Sequence, residues 1–249
     1  MRADTTPAGS RDLPAIWDAT CARISDLVRE LSDDAAAVAV PTVPGATVPD
    51  VLELLDTIGT QAVERPADLL REPFALPSAG PVDNGATWGE VAVEWEKAVA
   101  AFQGRADSAP ELACVLITYA VMSEHDLRTA LGMTGSRDDV AVKVALDELS
   151  GRFSDRVASA NLSPLRVTVE QWGTIIGDGR AVACVVADRF EFVRAMSGRR
   201  SAAEIRRWNW GVEPDVYLPV ISEVGLPTEE IRERDPRIPE HMRDREFVL

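Results

Sequence analysis

The sequence predicts a mainly α fold: a four-helix bundle over residues 12–160, a small α+β domain over 161–228, and a charged tail over 229–249. Three observations carry this. Apolar residues recur at helical spacing in successive stretches up to Val157. After Pro164 the period falls to two, with Leu165, Val167 and Val169 alternating with Arg166, Thr168 and Glu170. The final stretch RERDPRIPEHMRDREFVL is charged and broken by prolines.

Taken in order, residues 1–11 read as a flexible lead, and Ile16, Ala19, Ile24, Leu27, Val28 and Leu31 mark the apolar face of a first helix. PTVPGAT at 41–47 is a loop, after which Thr47 and Asp50 form a capping-box signal for a helix running to about residue 63. The stretch from Arg65 to Ala86 holds four prolines and two glycines and is expected to be one long irregular connection. Thr87 with Glu90 caps a helix through Phe102 that buries Trp88 or Trp95, with Val91, Val99 and Phe102. A helix from about Ala109 is apolar on most faces, which places it at the centre of the bundle, and Gly132 and Gly135 end it. Ser136 is expected to cap a helix carrying Val140, Val144, Leu149, Phe153 and Val157. GTIIGDG reads as a second strand or a turn. Residues 181–196 are expected to be helical, with Val182, Val185, Val186, Phe190, Val193 and Met196 inward, and a short helix follows Ser201. The tail either wraps over the body or stays disordered, with Phe247 to Leu249 as an apolar anchor.

Composition narrows the function classes. A net charge of -15 opposes the basic face that nucleic acid requires. No stretch is apolar enough to span a bilayer or to serve as a signal sequence, so the expectation is a cytoplasmic protein, monomer or homodimer, whose partner is a small molecule. Cys21, Cys114 and Cys184 are far apart, show no metal spacing, and are read as buried hydrophobes in helices. Phosphate-loop, GxGxxG, GxSxG and HExxH motifs are all missing.

The most informative stretch is Tyr119 to Gly132, where an apolar helix acquires polar and ionisable groups. Tyr119, Ser123 and Asp126 share one face, flanked by Glu124, His125 and Arg128. Tyr119 as phenol donor and Asp126 as a buried carboxylate with a raised pKa make an acid-base pair. The same spacing also suits two groups satisfying each other's hydrogen bonds. Arg194, Arg199, Arg200, Arg206 and Arg207 concentrate positive charge, and Arg199 is a candidate carboxylate binder, a solvated helix end being the alternative. Trp208 and Trp210 either stack on a planar ligand or pack between the two domains.

Four segments also resemble one family. SEHDLRTALGMTG at 123–135, VPGATVPDVLELL at 43–55, WGEVAVEWEKAV at 88–99 and VADRFEFVRAMSGRRSAAEIRRWNW at 186–210 are similar, in the same order, to the maleylpyruvate isomerase-like, mycothiol-dependent enzymes of the DinB-like superfamily. The resemblance implies a DinB-like bundle with a small second domain, and mycothiol or another low-molecular-weight thiol as cofactor in an actinobacterial secondary pathway. Members hold a divalent metal with a histidine on the second helix and a glutamate and a histidine on the later one. By that resemblance these positions fall on Leu54, Tyr119 and Ser123, which are not metal ligands. The tryptophan after the family's Pro-Gly is replaced by Ala46. No metal is therefore expected, unless a relocated set of Glu53, Glu124 and His125 binds one.

Two readings stay open. In the leading one, the chain is a metal-free isomerase or thiol S-transferase acting on a small electrophilic or carboxylate-bearing metabolite. Tyr119 and Asp126 are its catalytic candidates, and Ser123, His125, Arg128, Arg199, Leu54 and Trp208 bind the substrate. In the other, it is a non-catalytic small-molecule binding or sequestering protein.

Overall fold

In the computed structural model, residues 11–71, 88–102, 109–170, 172–231 and 233 are described here. The helices are α1 (Leu13–Val28), α2 (Asp33–Ala36), α3 (Val48–Glu64), α4 (Pro66–Arg71), α5 (Trp88–Phe102), α6 (Pro110–Ala130) and α7 (Val140–Ser159). The second part contains β1 (Leu165–Val169), β2 (Trp172–Ile176), β3 (Ala183–Val186), α8 (Arg189–Met196), α9 (Ala202–Arg206), β4 (Asn209–Trp210) and α10 (Leu218–Ile221). The chain is thus mainly helical, with its sheet confined to the C-terminal part.

α6 occupies the centre. It packs against α1, α3, α4 and α7, so residues on every side of it from Leu112 to Leu127 are buried, with Cys114 only half so. Around it α1 presents Ile16, Trp17, Cys21, Ile24 and Val28, whereas Ala19 faces outward and Leu31 lies beyond the helix end. Trp88 and Trp95, seven residues apart on α5, are both buried, and Trp95 Nε1 donates to Ser25 Oγ on α1 at 3.0 Å. The capping role expected of Thr87 and the burial expected of Phe102 lie outside the described residues.

Local chemistry explains the helix starts. The Asp50 carboxylate accepts from the Thr47 backbone N–H and hydroxyl, each at 2.6 Å, as the sequence predicts. α7 departs from expectation: Asp139, not Ser136, is its cap, accepting from Ala141 N at 2.8 Å. Ser136 instead sits at φ +57 and accepts from Arg128 Nη2. Part of the connection after Arg65 is also ordered, since Pro66 opens α4; positions 72–87 lie outside the described residues.

Among the described residues, the sheet has the order β2-β1-β3-β4. β1 and β2 pair antiparallel, Leu165 facing Ile176 and Val169 facing Trp172, so of the strand or turn expected at GTIIGDG a strand forms up to Ile176. β3 runs parallel to β1, pairing Val167 with Val185. This corrects the helix expected over 181–196. The run is strand up to Val186 and helix only from Arg189, after Asp188 caps it by accepting from Phe190 N and Glu191 N. Val182 is consequently 77% exposed, and Cys184 is exposed on β3 while Cys114 is half-buried; of the three cysteines only Cys21 is a core residue. The sheet and α8 both pack on α7, which places α8 and the following turn against the C-terminal half of α6. No helix among the described residues is long and apolar enough to cross a membrane.

Candidate functional site

Ser123, Glu124, His125 and Asp126 are four consecutive polar residues, each no more than 4% exposed. Successive helix positions turn by about 100°, so the four side chains leave α6 in different directions. They are all buried because α6 has neighbours all round it: Glu124 meets α1, while His125 and Asp126 both meet α8.

Asp126 points at α8 and the turn after it. Its Oδ1 accepts from Arg194 Nη2 at 2.6 Å and its Oδ2 from Arg199 Nη2 at 2.9 Å. Burial alone would push this carboxyl up, but Arg199 and Arg194 together outweigh it and hold Asp126 below the usual carboxylate range. The raised pKa expected of Asp126 is therefore corrected. A carboxylate between two buried guanidiniums stays ionised and is no proton donor at neutral pH.

The network extends further. Glu233 accepts from Arg194 Nε at 2.8 Å, and from Arg200 Nη2 at 3.1 Å through its other oxygen. Arg200 also pairs with Glu191 at 2.5 Å, and Glu191 pairs with Arg137 at 3.3 Å. Arg194, Arg199 and Arg200 are each at most 2% exposed, so for these three the solvated helix end that was the alternative is not what forms, whereas Arg206 and Arg207, at the end of α9, are exposed. The tight turn at Gly198, with φ +76, lets the arginines around it converge. Arg199 Nη1 donates to Ser197 O at 2.5 Å, while its buried Nε has no acceptor among the described residues.

Glu124 faces the other way. Arg23 Nε and Nη2 from α1 approach it at 3.0 Å, and Arg128 Nη2 approaches at 2.8 Å. Arg128 Nη1 continues to Thr134 O at 3.0 Å, fastening the loop after α6. Arg128 thus serves as a structural clasp in this arrangement, with its donors directed at protein acceptors.

His125 lies edge-on to Phe190 of α8, ring centroids 4.5 Å apart, with the Arg137 guanidinium 4.3 Å from the same Phe190 ring. Burial first, then Arg194, push its pKa down to about 3, so the imidazole is neutral. His125 is thus an interior residue, 4% exposed. Its Nε2 has no hydrogen-bond partner among the described residues. A half-open cleft of about 210 Å³ is lined by His125, Phe190, Arg137 and Glu233 among others.

Tyr119 is 1% exposed, and burial raises its phenol, so it remains protonated; Arg199 is the largest opposing influence on it. Leu54 is half-buried against the core on α3, which packs on α6. Trp208 belongs to an aromatic ladder: it meets Phe192 edge-on at 5.9 Å and stacks on Trp210 at 6.1 Å, which stacks on Tyr217. Of the two readings for Trp208, packing is the one with visible partners. Glu53 is exposed on α3 and Glu124 is taken by two arginines, so the relocated ligand set does not assemble. No group of three His, Cys, Asp or Glu side chains converges among the described residues.

The structure brings Tyr119, Asp126 and Arg199 together and leaves Arg128 and Trp208 in separate contacts. It also adds Arg194, Arg200, Glu191, Glu233 and Arg23, which sequence reasoning did not select as site residues. The available signal was Arg194 itself, a cation on the apolar stripe of Phe190, Val193 and Met196, since a charge on a buried face requires a buried partner.

No protein-family model matches the chain, and no curated protein matches it. Among solved structures, the crystal structure of the mycothiol-dependent maleylpyruvate isomerase aligns with a TM-score of 0.49 at 13% identity, over 81% of this chain and 93% of that one. A mutant of that enzyme with one histidine replaced by alanine aligns equally, at a TM-score of 0.49.

Proposed function

We propose that this chain binds a small carboxylate-bearing molecule beside Tyr119 and Arg199, on a scaffold like that of the mycothiol-dependent isomerases, and does not turn it over. The observation that carries the reading is the Arg199 side chain, buried and with its Nε lacking an acceptor among the described residues. An unmet buried donor costs about 1–3 kcal/mol, which a ligand oxygen would return. Tyr119, a neighbouring phenol that keeps its proton, is suited to orient such a ligand. General acid-base catalysis requires a group whose pKa lies near working pH. Asp126 and Glu233 are held below that range, His125 titrates at about 3 and Tyr119 is raised, which favours binding over proton transfer.

The metal-free thiol transferase remains the second reading, favoured by one feature. Arg199 and the Tyr119 phenol are electrostatically coupled. A guanidinium and a neutral donor side by side can stabilise the thiolate of mycothiol or a related thiol without exchanging a proton.

Calorimetric titration with maleate and pyruvate, with and without N-acetylcysteine, tests both. Binding that weakens at least tenfold in Arg199→Lys, with the ligand recovered unchanged by NMR, supports the binding protein. Isomerised maleate or a thioether adduct replaces it with the transferase. No binding of either acid to the wild type overturns the carboxylate reading.

A further inference from the structure

Glu233 reaches the arginine cluster from outside the named helices and strands. Within residues 229–233, Glu230 pairs with the half-exposed Arg207, and Ile231 tucks in at 7% exposure with its N–H donating to Glu204 Oε2 at 3.2 Å. Against those modest anchors, the Glu233 side chain is 4% exposed and holds two guanidiniums, one on each oxygen. Buried charge of this kind is found where partners are already in place.

Both partners are also held by groups other than Glu233. Arg194 is gripped by Asp126 and directs Nη1 to Met122 O at 3.4 Å. Arg200 is gripped by Glu191 and donates to Arg199 O at 2.6 Å. Two fixed guanidiniums, each offering donors to one carboxylate oxygen, have the geometry of a carboxylate receptor. Glu233 also lies in the lining of the cleft bounded by His125, Phe190 and Arg137.

We propose that Arg194 and Arg200 form a carboxylate-binding site which the chain fills with its own Glu233, and that residues 229–233 are a strap for which a small monocarboxylate competes. This goes beyond the function proposed above, which concerns Tyr119 and Arg199, and it names a second place for a carboxylate and a segment that controls it. Tethering gives Glu233 an effective concentration in the millimolar range, so an untethered acid competes only above that concentration. Once Glu233 is removed, the same acid binds without a rival.

The full-length Glu233→Ala protein should melt roughly 10 °C below wild type, because two buried cations lose a partner. Sodium formate should then recover most of that loss saturably, while sodium chloride at equal ionic strength should not. Glu233→Gln, whose amide fills the space, should show no formate response. If Glu233→Ala does not fold on its own, refolding it in formate against chloride reads the same site: recovery in formate alone supports the receptor. In wild type, high formate should speed hydrogen exchange at the amides of residues 229–231. Equal behaviour in formate and chloride overturns the site, and unchanged exchange in wild type overturns the competing strap. Repeating the formate titration in a combined Glu233→Ala, Arg199→Lys protein separates the two proposals, since rescue there is independent of Arg199 Nε.

Discussion

Arg23 and Glu124 join the first helix to the central one across 101 residues of sequence, with Arg23 Nε within 3.0 Å of both Glu124 oxygens. Glu124 is 1% exposed and Arg128 binds it from the other side at 2.8 Å. The pair is a strut between helices, and its contribution shows when one partner is lost.

Glu124→Ala should therefore lower stability by about 3 kcal/mol, since Arg128 would be left largely buried beside an empty place. Urea unfolding measures this. Calorimetric binding of maleate or pyruvate should be unchanged in the folded fraction, because Glu124 faces away from Asp126 and Arg199.

His125 makes stability depend on pH in a defined direction. Its folded pKa of about 3 lies below the unfolded value of about 6.5, so between these limits the unfolded chain binds more protons. Stability should be full above pH 6.5 and fall on acidification, at up to about 1.4 kcal/mol per pH unit. Asp126 and Glu233 add to the loss only below the unfolded carboxylate range near pH 4, because their folded pKa values are depressed. Comparing unfolding at pH 7 and pH 5 for wild type and His125→Gln isolates the imidazole, as His241 is present in both. A slope between pH 5 and 7 that survives in His125→Gln would refute this assignment.

Gly198→Ala tests the turn that presents the arginines. A Cβ there would lie 2.5 Å from Val224 Cγ2 and 2.8 Å from Gly225 O, at φ +76. Strain in the left-handed region and the clash together should cost about 3 kcal/mol. Any carboxylate binding should weaken as well, because Arg199 follows directly. Gly89→Ala, where nothing lies within 4 Å, is the control and should be neutral or slightly stabilising.

Trp208→Ala should destabilise by about 2 kcal/mol, less than a fully buried tryptophan, since Trp208 is only half-buried between Phe192 and Trp210. Ligand affinity should hold. A variant with normal unfolding and lost binding would return Trp208 to the ligand.

Much of the bundle was legible because its signals are local. The Thr47–Asp50 box, the apolar face of α1, the uniformly apolar α6 and the alternation of β1 each depend on residues a few positions apart. The run after Arg180 was misread for a related reason. Val182, Val185 and Val186 fit a helical face as well as a strand, and what decides is the parallel ladder to β1, eighteen residues upstream. Ser136 was expected to cap α7 and Asp139 does so, because both residue types cap helices well and only the path of the chain after Gly135 selects between them.

By itself the sequence determined the class of fold, the central position of α6, and the fact that Tyr119, Ser123 and Asp126 share one of its faces, since helical period and capping are properties of neighbouring residues. Only the tertiary structure decided what those groups became. Asp126 turned from a carboxylate expected to have a raised pKa into one held below the usual range because α8 and the Gly198 turn bring Arg194 and Arg199 to it from 68 and 73 residues away. A charge state depends on the field at the group, and in a buried network that field comes from residues whose distance along the chain says nothing of their distance in space.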